Sequence, residues 1–134
     1  MKEVNLCEIY GAPVEGTGAI GLLGVEKGLV DENGIGVLME VTASHLNTNG
    51  TAHGGILYAL CDQAVGAYMA YRKIAASGMD GEIHYYRPAK KGDILQAMAY
   101  PRKTGRRVSV FLVVLKNQDD ELLADGLFTA IRME

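Results

Sequence analysis

The chain of 134 residues contains no tryptophan, only two cysteines and only three histidines. Cys7 and Cys61 fit neither a disulfide framework nor a metal-binding spacing, so we expect two reduced thiols in a cytoplasmic protein. His45 and His84 have no partner at metal-ligand spacing, which argues against zinc chemistry. We therefore expect no metal site.

The chain also lacks an excess of basic residues, with 13 Lys and Arg against 16 Asp and Glu, and it lacks a long apolar run without polar residues. The formal net charge is -3, whereas nucleic-acid-binding proteins usually need a basic surface. Residues 1–16 contain acids and a proline where an export signal would be apolar, and the longest apolar segment includes Asp62 and Gln63. We expect neither a nucleic-acid partner nor a membrane span.

Two common enzyme motifs are missing as well. The chain has no Gly-x-Ser-x-Gly, which removes the usual serine esterase mechanism. It has no glycine-rich turn between a strand and a helix of a parallel unit, so a dinucleotide site is unsupported. We expect no cofactor.

The composition is that of an ordered globular protein, with 49% hydrophobic and 22% charged residues. No repeat, low-complexity tract or linker interrupts it. The length suits one hydrophobic core, so we predict a single domain spanning 1–134.

Hydrophobic patterning predicts six strands and one helix. The helix runs from Gly54 to Tyr71 and is apolar on all faces, so it should be wrapped by other structure, and Thr51 is a candidate cap. Asn33-Gly34 predicts a hairpin. The predicted strands are Leu22–Val30, Ile35–Ala43, Asp80–Tyr86, Asp93–Tyr100, Arg107–Leu115 and Leu122–Arg132. Together they predict an α+β fold, in which one curved antiparallel sheet surrounds a long central helix.

Asp62 is the only charged residue of this helix. Burying an unpaired carboxylate costs several kcal/mol or more, so something must compensate for it. A catalytic role is one explanation. The alternatives are that Asp62 faces solvent at a gap in the sheet or is satisfied by a local hydrogen bond.

His53-Gly54-Gly55 begins the same helix. The first amides of a helix are unpaired donors at the positive end of its dipole, and they can hold a carbonyl oxygen as it becomes an oxyanion. Glycine also permits a substrate to approach the backbone closely. The alternative is an ordinary turn into a helix.

Gly54 and Asp62 are eight residues apart, about 12 Å along a helix, so they are too distant to act together on one carbon within one chain. Antiparallel pairing of two such helices around a two-fold axis would bring Gly54 of one chain near Asp62 of the other. If the two residues cooperate, the protein must be a homodimer.

The segment from Asn47 to Gly55, followed by Leu60-Cys61-Asp62 and Ala64, resembles the signature of the PaaI-type hotdog thioesterases, the family named for phenylacetate degradation. The resemblance covers roughly 22–132 and continues through Tyr86-Arg87-Pro88-Ala89, Gly92-Asp93, Gly105-Arg106 and Ala124 to Thr129. It implies a hotdog homodimer, commonly doubled to a tetramer, that hydrolyses acyl-CoA at the helix interface.

The resemblance also implies roles for individual residues. Asp62 would activate or orient the attacking water, or attack as a nucleophile, and the Gly54 amide of the neighbouring subunit would polarise the thioester carbonyl. Asn47 would assist in binding that oxygen or the water, and His53 would orient the loop rather than act as the base. Some relatives carry a Ser or Thr that helps to hold the water, where alignment places Gly78, next to Ser77.

Substrate-binding residues are predicted on the glycine turn and on basic side chains. Gly55 could contact the substrate, and Arg87 could contact a phosphate or form a structural ion pair. The turn containing Arg102, Lys103, Arg106 and Arg107 could grip the phosphates of coenzyme A or be a solvated hairpin tip.

Two other functions compete with thioester hydrolysis. One is a non-catalytic acyl-CoA-binding or regulatory module, since a fold can keep a groove without its chemistry. The other is a dehydratase acting on a hydroxyacyl thioester, which usually needs a His base. Aryl, short-chain and medium-chain acyl groups all remain open.

Overall fold

The computed structural model describes residues 1–133, which form seven strands, three α-helices and a short 3-10 helix at Ala43–His45. The elements in chain order are β1 (Lys2–Asn5), α1 (Leu6–Tyr10), α2 (Gly18–Leu23), β2 (Val25–Val30), β3 (Ile35–Glu40), α3 (Gly54–Tyr71), β4 (Ala76–Tyr85), β5 (Ile94–Thr104), β6 (Val108–Lys116) and β7 (Leu122–Arg132).

The seven strands form one antiparallel sheet in the order β1-β2-β3-β5-β6-β7-β4. The predicted hairpin between β2 and β3 is confirmed, because the Asp31 amide donates to the Gly34 carbonyl at 2.9 Å. β4 follows α3 directly but lies at the far edge, beside β7. The predicted α+β arrangement of one sheet and one long helix is confirmed.

Helix α3 has the predicted bounds and lies against the inner face of the sheet, where it contacts β3, β5, β4 and β6. One example of this packing is an edge-on contact between Tyr68 and Phe111, with ring centroids 5.0 Å apart. Its buried side chains are Leu57, Leu60, Cys61, Ala64, Val65, Ala67, Tyr68 and Met69. Each large one stabilises the fold by about 1.5–3 kcal/mol relative to exposure, so this face is the centre of the core.

Several predicted boundaries need correction. Leu22 and Leu23 belong to α2, because Gly24 adopts a left-handed conformation (φ 81°) that ends this helix before the strand begins. β5 continues to Thr104, which shortens the predicted turn after it. β4 begins at Ala76, four residues before the predicted start, and has a register shift between Gly78 and Asp80.

The predicted cap of α3 is also wrong. His53 is the N-cap residue, because its Nδ1 accepts the Gly55 amide at 2.9 Å. The Thr51 hydroxyl instead contacts the side chain of Asn47, and the Thr51 backbone forms a bridge with Lys90. The cap residue is therefore His53, two residues after the predicted Thr51.

β4 is an open edge of the sheet. Within residues 1–133 it pairs only with β7, and most of its residues are exposed, including Met79 at 56% and Tyr85 at 49%. An uncovered strand of ten residues is a template for pairing with another chain. No helix in the described part of the chain is long and apolar enough to cross a membrane.

Candidate active site

Helix α3 and edge strand β4 meet at three places, each about one helical turn after the last along α3. At the first, Tyr85 Oη donates to the Gly54 carbonyl at 2.6 Å. At the second, the Tyr58 hydroxyl fills the space that a side chain on Gly81 would need. At the third, a Cβ placed on Gly78 would lie 3.5 Å from Asp62 Oδ1. The candidate catalytic groups of α3 therefore lie along the side of the molecule that ends in the open edge.

Asp62 reaches the surface at the gap between α3 and β4. Its side chain is exposed in the single chain and has no hydrogen-bond or ion-pair partner within residues 1–133. Burial among neighbouring groups nevertheless raises its pKa above the ordinary value for aspartate. Of the alternatives to catalysis, the local hydrogen bond is absent from the described structure. Asp62 does face solvent, but at the gap between α3 and β4 and not at a gap in the sheet, whose seven strands are continuous.

A cavity of about 70 Å³ lies beside this carboxylate. It is lined by Asp62, Val65, Gly66, Met69, Ala76, Ser77, Gly78 and Ala130. A Cβ on Gly78 would lie 3.5 Å from Asp62 Oδ1, so the position where some relatives carry a Ser or Thr is beside the carboxylate and has no hydroxyl here. Ser77 lines the same cavity.

The surface of α3 around Asp62 is formed by small residues. Gly55, Ala59, Asp62, Gly66 and Ala70 follow one another at helical spacing and are exposed or half-buried. Because none of the other four has a long side chain, a second helix could approach this stripe closely. Asp62 would then be enclosed by that helix.

The first turn of α3 has one occupied and one free glycine amide. The Gly55 amide donates to His53 Nδ1, whereas the Gly54 amide has no partner within residues 1–133. The expectation that both amides are free is therefore wrong for Gly55, because the cap occupies its amide. Contact between the substrate and an atom of Gly55 other than its amide stays a prediction.

His53 is held by its backbone as well as by its side chain. Its amide donates to the His45 carbonyl at 2.8 Å, and His45 is buried, with Nε2 2.8 Å from the Leu23 carbonyl. Since His53 Nδ1 accepts a hydrogen bond, its neutral ring carries the hydrogen on Nε2. This geometry is consistent with the expected role of His53 in orienting the loop.

The Asn47 side chain is directed into its own loop. Its Oδ1 accepts the amides of Asn49 at 2.9 Å and Thr51 at 3.2 Å, and its Nδ2 donates to the Thr51 hydroxyl at 3.2 Å. In the single chain, Asn47 therefore shapes the loop before α3. A direct contact with the substrate stays a prediction.

A larger cavity, of about 340 Å³, lies beside Gly54. Arg87 lines it, but its guanidinium also forms an exposed ion pair with Glu121 at 3.3 Å. The other lining residues are Thr51, Ala52, Gly54, Leu57, Tyr85, Tyr86 and Pro88. Tyr85 is a residue of this site that sequence reasoning missed, since no local pattern indicates a hydrogen bond spanning 31 residues.

The basic turn lies at the opposite end of the sheet from Gly54. Val108, Ile131 and Ser77 are aligned across β6, β7 and β4, while Tyr85 is aligned with Ala124 at the other end. The basic side chains are exposed and form no ion pair within residues 1–133: Arg102, Lys103, Arg106 and Arg107. One chain thus brings Gly54, His53, Tyr85 and Arg87 together and keeps them apart from the basic turn.

Comparisons with known proteins agree on one family. The sequence model of the thioesterase superfamily matches residues 49–124, which is more than half of the chain. The acyl-coenzyme A thioesterase PaaI of Escherichia coli is 33% identical over 102 residues, covering 76% of this chain and 73% of that protein.

Solved structures give the same result. The structure of the Escherichia coli PaaI protein superimposes with a TM-score of 0.80 at 30% identity, over 87% of this chain and 84% of that one. A Streptococcus mutans protein bound to acetyl-CoA superimposes with a TM-score of 0.73 at 30% identity, over 78% of this chain and 85% of that one.

Proposed function

The chain belongs to the thioesterase superfamily and is a thioester hydrolase with the hotdog fold, and we propose that it hydrolyses acyl-CoA in sites shared by two copies of the chain. One observation carries this proposal. An unpartnered carboxylate, Asp62, and an unpartnered amide, Gly54, lie on the same helix, about 12 Å apart along its axis. Within residues 1–133, Asp62 has no hydrogen-bond or ion-pair partner and the Gly54 amide has no acceptor.

Two features support a two-fold dimer, in which Gly54 of one protomer would lie near Asp62 of its partner. The stripe of small residues on α3 would allow an antiparallel helix to approach, and the open β4 edge would allow two sheets to join. Because α3 lies against β4, both features are on the same side of the molecule. In such a dimer, the cavity beside Gly54 of one protomer would face the cavity beside Asp62 of its partner.

The chemistry follows from these two groups. Ionised Asp62 would take a proton from a water molecule as that water attacks the thioester carbonyl carbon, and the Gly54 amide would donate to the developing oxyanion. Collapse of the tetrahedral intermediate would break the carbon–sulfur bond, releasing the acid and the CoA thiolate. The proton that Asp62 took from the water would then pass to the CoA thiolate, which leaves Asp62 ionised again. His53 and Asn47 would keep the loop in place.

Asp62 could instead attack the carbonyl itself and form a mixed anhydride. Single turnover in water labelled with ¹⁸O detects the nucleophilic mechanism when water opens the anhydride at the aspartyl carbonyl. If water attacks the thioester, the acid from the first turnover contains the label. If Asp62 is the nucleophile and water then attacks the aspartyl carbonyl, the first acid is unlabelled and Asp62 acquires the label.

Coenzyme A would bind across the two protomers. Antiparallel joining of two β4 strands would bring the basic turn of one protomer towards the Gly54 end of the other, where Arg87 lies. The four positive charges of the turn have no partner within residues 1–133 and could meet the phosphates. The acetyl-CoA bound to the Streptococcus mutans relative supports this class of ligand.

A dimer of dimers is supported by the outer face of the sheet. Tyr100, Leu112 and Leu127 are aligned across three strands on this face, and Leu127 is 45% exposed. Apolar patches of this kind commonly mark protein interfaces. We propose that this face joins two dimers back to back, and light scattering of a Leu127→Glu variant would test this by showing dimers in place of tetramers.

The function is tested with a hydrolysis panel of acetyl-, hexanoyl- and benzoyl-CoA. We expect Asp62→Ala and Asp62→Asn to lower kcat by about 100-fold or more while the circular dichroism spectrum stays unchanged. Unchanged turnover in either variant would reject the role of Asp62. Saturable binding of all three compounds without thiol release would instead favour a non-catalytic acyl-CoA-binding module.

A further inference from the structure

A chain of hydrogen bonds passes through one peptide group at the start of α3. Tyr85 Oη donates to the Gly54 carbonyl at 2.6 Å, and on the other side of the same peptide the Gly55 amide donates to His53 Nδ1 at 2.9 Å. The peptide is therefore held at both its oxygen and its nitrogen. Because successive hydrogen bonds polarise one another, each of these two bonds strengthens the other.

The two glycines make these contacts possible. A Cβ on Gly54 would lie 3.2 Å from Tyr85 Oη, and a Cβ on Gly55 would lie 3.1 Å from His53 Nδ1. Both distances are tighter than ordinary van der Waals contact. Glycine leaves the backbone conformationally free, so the first turn of α3 holds a peptide between two glycines less firmly than one between other residues. The hydrogen bonds of Tyr85 and His53 add to the orientation that the helix gives this peptide.

The preceding peptide carries the free amide. The His53 carbonyl accepts the amides of Ile56 at 2.9 Å and Leu57 at 3.1 Å, which polarises the His53–Gly54 peptide and makes the Gly54 amide a better donor. Since His53 occupies the Gly55 amide, a carbonyl oxygen arriving at these two glycines would find only the Gly54 amide free within the described structure.

From this arrangement we infer that Tyr85 is a positioning residue, whose hydroxyl holds the Gly54–Gly55 peptide so that the Gly54 amide alone meets the thioester oxygen. This inference rests on the proposed function. Tyr85 acts through the peptide rather than on the reacting atoms. Burial, with smaller contributions from Cys61 and Tyr58, raises the pKa of Tyr85, so its hydroxyl stays protonated and remains a donor at neutral pH.

Tyr85→Phe removes the hydroxyl and keeps the ring. We expect kcat for the fastest compound of the acetyl-, hexanoyl- and benzoyl-CoA panel to fall about three- to ten-fold, with KM unchanged, because one hydrogen bond that orients the oxyanion donor is lost. Tyr10→Phe is the matched control, since the Tyr10 hydroxyl accepts from Gln63 of the same helix at 2.7 Å, away from Gly54. Equal kcat in Tyr85→Phe and the unmodified chain would overturn the inference.

A double-mutant cycle separates positioning from a general loss of packing. His53→Ala and Tyr85→Phe act on opposite ends of one peptide, so we expect the double variant to be hardly slower than the slower single variant. Losses of kcat that multiply would show two independent effects and contradict the inference. Thermal unfolding of all variants gives the change in stability separately.

The carbonyl stretching band of a bound substrate provides a direct readout. The experiment uses Asp62→Asn protein, which is expected to bind without rapid turnover, and the fastest compound of the acyl-CoA panel, labelled with ¹³C at its carbonyl. The carbonyl of the bound compound should absorb at lower frequency than the carbonyl of the same compound in water. Adding Tyr85→Phe should move the band back towards its position in water, and an unmoved band would overturn the inference. Full turnover by Asp62→Asn would instead reject the proposed function, whereas an inactive Asp62→Asn beside a normal Tyr85→Phe rejects only the role of Tyr85.

Discussion

Asp62 and Gly78 face each other across the gap between α3 and β4, and a Cβ on Gly78 would lie 3.5 Å from Asp62 Oδ1. This is ordinary van der Waals distance, so a small side chain fits there without displacing the carboxylate. The glycine thus leaves an open position beside the proposed base.

The first prediction concerns the position of Gly78. A serine there would place a hydroxyl within reach of Asp62, and a hydrogen bond to the ionised form lowers the pKa of the carboxyl group. Because a general base must be ionised, we expect the acid limb of the kcat/KM profile to move to lower pH in Gly78→Ser. Gly78→Ala is the control, since its methyl group adds burial without a donor and should not move the limb downwards.

The second prediction concerns stability and pH. The pKa of Asp62 is raised in the folded chain, so ionisation of Asp62 destabilises the fold, and this penalty grows as pH rises from the ordinary aspartate range through the raised pKa. We therefore expect Asp62→Asn to melt at a higher temperature than the unmodified chain at pH 7. The difference should vanish below the ordinary aspartate pKa of about 3.9. Thermal scans from pH 3 to 8 measure it, and a lower melting temperature at pH 7 would contradict the prediction.

The third prediction tests whether each site is shared. Asp62→Ala and Gly54→Val should each be nearly inactive alone. If one site combines Gly54 of one chain with Asp62 of another, half of the sites in a mixed dimer are intact, so random mixing of equal amounts should restore about one quarter of the activity.

For this experiment the two variants are unfolded, mixed and refolded together. The control is each variant unfolded and refolded alone. Sites built within a single chain would each keep one defect, and the mixture would stay inactive. That result would reject the shared site while leaving the role of Asp62 intact.

The fourth prediction concerns the basic turn. Reversing two of its charges, Arg102→Glu with Arg106→Glu, should raise KM for acyl-CoA about three- to ten-fold, because attraction to the phosphates becomes repulsion. Acyl thioesters of N-acetylcysteamine lack the nucleotide and should be hydrolysed as before. Lys2→Glu reverses an exposed charge on β1 and is the control. An equal KM for acyl-CoA in the double variant and the unmodified chain would mean that the turn is a solvated hairpin tip.

Local patterns predicted most elements because each depends on residues close in sequence. The bounds of α3 were correct, since an apolar run of this length has few other ways to be buried. The predicted starts of β2 and β4 were wrong. β2 begins later than predicted because α2 and its C-cap Gly24 precede it, and β4 begins earlier, at Ala76, because its pairing with β7 extends that far. The end of a strand depends on the strand that pairs with it, which is distant in sequence and therefore lies outside any short segment used for prediction.

The sequence alone was enough to identify a helix with one carboxylate, a glycine pair at its start, and eight residues between Gly54 and Asp62. The fold was needed to show that the Gly54 amide has no partner within residues 1–133 while the Gly55 amide has one, that Tyr85 holds the peptide between them, and that Gly78 leaves space beside Asp62. Composition and periodicity select which surfaces are buried. The partner of each polar group depends on distances of a few ångströms between segments that the fold alone brings together.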